Sequence, residues 1–242
     1  MKTIMILVSF VIYFPLTFSI TRAQPVYNCY KTDGQIRIDG KADETAWQSA
    51  EKASFVAMDG SQPGLKTEFM WLWDDGNLYG FFHIRDNNLW ATMTKRDDHL
   101  WLENVVEFFI DPDECSKTYA EFEFNPLNTV LDLYILNKYN ARKDIRQWWD
   151  WNCEGMKSTV VVKGTVNHSG DQDEYWDLEV SLPFSQFYTA PNLPPLPGDE
   201  WKVDFCRGEG NEKPVVKESS AWSPPAFHNP LSYGTMNFLE KK

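Results

Sequence analysis

The chain is 242 residues long and carries 23 Lys and Arg against 35 Asp and Glu, a formal net charge of -12. So acidic a protein repels phosphate backbones and acidic lipids, and nucleic acid is excluded as an expected partner. Aromatic residues make up 15% of the chain, which suits either a large core or ring faces that stack on sugars; composition alone does not choose between them.

Residues 1 to 23 read as a cleaved secretory signal: Lys2, an apolar run from Ile4 to Phe18, then Thr21-Arg22-Ala23 before Gln24. That run is shorter than the roughly 20 residues of a membrane-spanning helix, so no membrane insertion is expected. The protein should be secreted or periplasmic after cleavage near Ala23. Loss of Lys2 and Arg22 takes the net charge from -12 to -14. Residues 24 to 242 are long enough for one well-filled core and are expected to form one β-sandwich domain. Val26-Tyr27-Asn28 lacks the small residues of a lipidation signal before Cys29. In an exported chain Cys29, Cys115, Cys153 and Cys206 allow two disulfides in three connectivities or four unpaired thiols. The sequence says nothing about oligomeric state.

In chain order, Gln35 to Asp39 suggests a short strand, and Asp43 to Ala50 one or two helical turns with Trp47 packed inward. Lys66 to Asp74 and Leu78 to Asp86 alternate like strands around the hairpin signal Asp75-Gly76-Asn77. Trp71 and Trp73 share a face there, a spacing typical of core. In the polar loop that follows, Asp86, Asp97 and Asp98 offer oxygen ligands for a structural Ca²⁺, although their spacing is not that of an EF-hand. Next comes Trp101-Leu-Glu-Asn-Val-Val-Glu-Phe-Phe-Ile-Asp-Pro112. As a strand it points Val106, Phe108 and Ile110 one way and Val105, Glu107 and Phe109 the other. Glu107 is thus a carboxylate among apolar neighbours, and burial without a partner would cost about 2–7 kcal/mol. Tyr119 to Asn125 and Thr129 to Leu136 alternate cleanly, the former with Ala120, Phe122 and Phe124 opposite Tyr119, Glu121, Glu123 and Asn125. Asn137 to Cys153, with Arg142, Arg146, Trp148, Trp149 and Trp151, lacks strand periodicity and reads as a loop, its rings either a stacking platform or a plug over the core. Met156 to Val166, Glu174 to Leu182, Trp201 to Arg207 and Thr235 to Leu239 complete the strands, with a proline-rich loop from Pro183 to Pro197. The expected fold is all-β: an antiparallel β-sandwich, jelly-roll-like, with short helical turns and long loops.

The spacing of Trp101 to Glu107, running on into Phe108-Phe109-Ile110-Asp111-Pro112, resembles the family 9 carbohydrate-binding modules. So do Ile38-Asp39-Gly40-Lys41-Ala42-Asp43-Glu44-Thr45-Ala46-Trp47, Leu72-Trp73-Asp74-Asp75-Gly76-Asn77-Leu78-Tyr79 and Phe227-His228-Asn229-Pro230-Leu231-Ser232-Tyr233-Gly234. Together they span nearly the whole mature chain. The resemblance implies non-catalytic binding of carbohydrate, with the terminal, reducing-end sugar of an oligo- or polysaccharide clasped between Trp101 and Phe227. Glu107, Glu123 and Asn125 would bond its hydroxyls, and structural calcium would be in keeping with the family. Two departures stand out. Glu123 occupies a position where the family has arginine, so an acceptor replaces a donor, and Phe227 stands in place of a tryptophan. Arg207, at the end of its strand, is a candidate for the missing positive donor.

Two other function classes fit parts of the sequence. A glycoside hydrolase would use Glu107 with Glu121 or Glu123, since paired carboxylates about 5–9 Å apart are its requirement. A haem-binding redox sandwich would need axial ligands, and Met58, Met70, Met93 and Met156 form no evident pair. There is no Gly-x-Ser-x-Gly elbow, phosphate-binding glycine loop or His-Glu-x-x-His. The binding reading requires no cofactor.

Overall fold

The computed structural model describes residues 23–137, 145–210, 218–225 and 227–242. Residues 1–22 of the expected signal segment 1–23, and Arg142, lie outside them. In chain order the elements are β1 (Val26–Lys31), a 3₁₀ turn at Thr45–Ser49, the short β2 (Ala53–Ser54) and β3 (Val56–Ala57), β4 (Thr67–Trp73) and β5 (Asn77–Arg85). A second 3₁₀ turn, Leu100–Leu102, leads into β6 (Val105–Asp111), β7 (Thr118–Phe124), β8 (Val130–Asn137) and β9 (Ile145–Trp148). Then come β10 (Lys157–Lys163), β11 (Tyr175–Pro183), β12 (Glu200–Glu209), β13 (Glu218–Ala221) and β14 (Gly234–Leu239).

The strands hydrogen-bond in the order β10-β11-β5-β4-β1-β14-β12-β6-β7-β8-β9, so a single sheet runs through the described chain. It curls until β4 and β5 lie over β6 and β12, giving the expected β-sandwich. The rings that meet across the gap record this. Phe82 of β5 stacks on Phe108 of β6 with centroids 4.7 Å apart, and Trp71 of β4 stacks on Phe205 of β12 at 5.2 Å. Alternation supplies these contacts. Phe69, Trp71 and Trp73 point inward from β4, and Phe108, Phe122, Val203 and Phe205 answer them from the other half, all essentially without solvent exposure. Burying each such ring contributes about 1.5–3 kcal/mol. Trp71 and Trp73 are core, as their spacing predicts, and Trp47 is buried with its indole N–H donating to Glu179.

Three elements differ from the sequence reading. The fold is not purely antiparallel: β1 pairs in parallel with both β14 and β4. That strand carries no turn residue to announce it, yet its Tyr27 and Cys29 are fully buried. Gln35 to Asp39 forms no strand. The chain is held there by a side chain instead, because Glu179 Oε2 accepts the backbone N–H groups of Asp39 and Gly40, each at 2.9 Å. Within the expected loop after Asn137, residues Ile145–Trp148 form a strand antiparallel to β8. All four cysteines are free thiols. Among the described residues no helix is long and apolar enough to cross a membrane.

Candidate functional site: a carboxylate-floored cleft

Strand alternation turns one face of β6, β7, β8 and β12 into the core and leaves the other as an outer surface. That outer face has its own apolar cluster, built from Val105, Phe109, Tyr119, Leu131, Leu133 and Cys206. Three carboxylates interrupt it. Glu107 on β6 lies directly opposite Glu123 on β7, and Phe109 lies opposite Glu121, so the three acids occupy neighbouring positions on one face. Carboxylate oxygens of all three come within 4.8 Å of one another. Each residue is no more than 4% exposed.

These acids floor a cleft of about 350 Å³ whose remaining walls include Trp101, Gln147, Ser219, Phe227 and His228. Trp101 sits in the 3₁₀ turn just ahead of β6, its ring braced by His99 at 4.6 Å and Trp149 at 6.3 Å. Phe227 arrives from the far end of the chain and packs edge-on against Phe109. His228, in a left-handed backbone conformation, places Nε2 3.7 Å from Glu121 Oε1 and Nδ1 3.1 Å from the Tyr119 hydroxyl. Four of the six predicted sugar-binding residues, Trp101, Glu107, Glu123 and Phe227, are therefore brought together in one hollow.

The electrostatics of the floor follow from burial. Desolvation disfavours the charged form of a carboxyl, and Glu107 is pushed up to about 8 by it. Glu121 and Glu123 are also held well above the ordinary range, by burial first and then by the charge of Glu107. Oε2 of Glu121 and Oε2 of Glu123 are buried and receive no N–H or alcohol donor from the described protein, the two carboxyls bonding to each other instead.

Asn125 and Arg207 lie apart from the cleft. β7 ends at Phe124, and Asn125 belongs to the turn that follows: its Oδ1 accepts the N–H groups of Leu127 and Thr129, and its Nδ2 donates to the Met93 carbonyl at 2.9 Å. Arg207 alternates with Cys206 and Gly208 and so points through the sheet, away from the three acids. There its guanidinium contacts Glu209, Asp86 at 3.4 Å and Thr67 at 3.5 Å. No lysine or arginine stands in for the family's arginine among the described cleft residues; His228, beside Glu121, is the base there.

The expected calcium ligands do not converge. Asp86 is buried and accepts from Asn104 Nδ2 at 2.5 Å and from the Asn88 N–H, besides facing Arg207. Asp97 faces the backbone N–H of Asp132 and Asp98 that of His99. Among the described residues, carboxylates gather instead at Glu107, Glu121 and Glu123, and at Asp111 and Asp113 beside Cys115. Of the tryptophans on the β9 side, Trp151 plugs the core at 3% exposure, Trp149 braces Trp101, and Trp148 is half exposed. The plug reading holds for Trp151.

Sequence reasoning left Glu121, Gln147, Ser219 and His228 out of the binding set. Glu121 carried a usable signal, since it shares a face with Glu123. Ser219 and Gln147 reach the cleft only through pairing of β13 with β12 and of β9 with β8, which no local pattern reveals. A larger hollow of about 540 Å³ lies on the other half of the sandwich, lined by Lys41, Glu68, Phe81, His83 and Asp177 among others. His83 and Asp177 are already paired at 2.6 Å, and the polar groups there carry both signs.

A cleft with aromatic walls and hydrogen-bonding groups beneath, set on the outer face of a curled β-sandwich, defines a ligand-binding domain of the lectin-like kind. The chain belongs to the carbohydrate family 9 binding domain-like family, whose pattern it matches over residues 38–241. Among solved structures it is similar to a family 9 carbohydrate-binding module from Caldicellulosiruptor kristjanssonii in complex with cellotriose, at 14% identity and a TM-score of 0.65, covering 90% of this chain and 95% of that one. The same kind of module in complex with glucose gives 15% identity and a TM-score of 0.60, covering 89% and 97%. A Bacteroides uniformis ATCC 8492 protein gives 20% identity and a TM-score of 0.66, covering 89% of this chain and all of that one. No curated protein matches the chain.

Proposed function

We propose that this protein is a non-catalytic carbohydrate-binding module that clasps the terminal, reducing-end sugar of an oligo- or polysaccharide. The observation that carries the reading is the meeting of Trp101 and Phe227, 126 positions apart in sequence, as walls of one cleft above Glu107, Glu121 and Glu123. A pyranose ring lays its C–H faces on aromatic rings and its hydroxyls against carboxyl groups, which accept when ionised and also donate when protonated. A hollow lined by two rings suits one terminal residue, whereas a flat platform suits a run of them. Family membership and the sugar complexes of the similar modules support the same reading. The leader-like segment at 1–23 supports export.

Hydrolysis is the weaker reading because a glycosidase flanks the scissile bond with its two carboxyls. Here all three acids project from the same face of neighbouring strands. The test is titration calorimetry of the protein against mono- and oligosaccharides, each paired with its end-reduced form. Binding that needs an intact reducing end and weakens in Trp101→Ala supports the proposal. No heat across the panel, or equal affinity in that variant, discards it.

A further inference from the structure

We infer that the cleft selects a sugar bearing a protonated amine, a hexosamine unit, over its neutral counterpart. The inference rests on the carbohydrate reading above and names the chemical class of the occupant. Three observations carry it. First, three buried carboxyls converge within 4.8 Å on the cleft floor, and the described lining residues include no lysine or arginine; His228, with Nε2 3.7 Å from Glu121 Oε1, is the ionisable base beside them. Second, Glu121 Oε2 and Glu123 Oε2 are buried in that floor with no N–H or alcohol donor from the described protein; the two carboxyls bond to each other when one holds a proton. A buried acceptor left without a partner is costly and marks the place where a ligand supplies the donor. Third, the flanking walls are the Trp101 and Phe227 rings, whose faces attract cations as well as sugar C–H groups.

An ammonium group has three donors and no acceptor. Three carboxyls on adjacent positions of β6 and β7 match that count, and charge-assisted bonds of this kind are stronger than those a neutral hydroxyl makes. A divalent cation would use the same acids, with Gln147 and Ser219 as the further oxygen-bearing walls toward the six to eight oxygens that Ca²⁺ takes, so a calcium titration belongs in the test. Burial keeps protons on the three acids when no cation faces them. Entry of an ammonium reverses that preference, so its binding is expected to drive protons off the floor into the buffer.

The test is titration calorimetry of the full chain with the trisaccharides of glucosamine, N-acetylglucosamine and glucose at one pH, in two buffers of different ionisation heat. A glucosamine trisaccharide that binds roughly tenfold tighter than the other two, with proton release, supports the inference. So does collapse of that preference in Glu123→Gln, and in Glu121→Gln as a second variant should the first fail to fold. Equal or tighter binding of the glucose trisaccharide overturns the inference and leaves the carbohydrate reading standing. No binding of any of the three overturns both. Tight Ca²⁺ binding that Glu123→Gln abolishes, with no amine preference, overturns the inference in favour of a metal.

Discussion

Glu107 and Glu123 face each other directly across the β6–β7 ladder, two acids in the position where an antiparallel pair normally sets opposite charges or apolar partners. Like charges so placed destabilise a sheet unless one or both are protonated or a ligand intervenes. Burial raises the affinity of both residues for protons, and the charge of Glu107 adds to it at Glu123.

The first prediction concerns pH. Folding raises the Glu107 carboxyl from 4.5 to about 8, and Glu121 and Glu123 move in the same direction. The native state then binds more protons than the unfolded state between those limits, so stability falls as pH rises. The favourable contribution of Glu107 is complete below about pH 4.5 and is lost through about pH 8, and Glu121 and Glu123 act in the same direction. In thermal denaturation without ligand, Glu123→Gln is expected to gain about 1–3 kcal/mol over the wild type at pH 8 and little at pH 5. An equal effect of the substitution at both pH values would contradict it.

The aromatic walls make a second prediction. Phe227→Trp enlarges the stacking face and adds an indole N–H, and should tighten sugar binding by roughly three- to tenfold. Trp101→Ala should weaken it by roughly tenfold or more while the circular dichroism of the fold is retained, because Trp101 is only partly buried.

Arg207 should behave as a structural residue. Its removal takes away the cation that Asp86 and Glu209 share, leaving both acids without a counter-charge in a largely buried site, so Arg207→Ala is expected to cost about 3–5 kcal/mol in denaturant unfolding. Sugar affinity per folded molecule should be unchanged. A selective loss of affinity at normal stability would return Arg207 to the binding site.

Gly80 tests the packing of the sandwich. A Cβ there would lie 2.6 Å from the Trp71 ring, which is fully buried between β5 and the opposite half of the sheet. Gly80→Ala should therefore destabilise by about 1–3 kcal/mol, the usual cost of overpacking. Urea unfolding measures it.

Much of this architecture was legible because the strands alternate so regularly. Trp71 with Trp73, and Phe108 with Phe122, declare an inward face on sequence alone, and the same alternation sets Glu107 and Glu123 on the outward one. What escaped was whatever depends on a partner far away in sequence. β1 is a strand because β14 and β4 flank it, and Gln35 to Asp39 is irregular because Glu179 takes the backbone bonds a ladder would have used. Asn125 and Arg207 were read as cleft residues from their positions in matching motifs. A turn beginning one residue early and the two-residue period of β12 direct them elsewhere. The acidic loop suggested calcium by composition, yet each of its acids already has a local partner.

The most direct test of the clasp is a crystal structure with the tightest-binding trisaccharide. The terminal ring is predicted between Trp101 and Phe227, with its polar substituents on Glu107, Glu121 and Glu123. A sugar seated instead in the hollow beside Phe81 and His83, with the carboxylate-floored cleft left open, would contradict it.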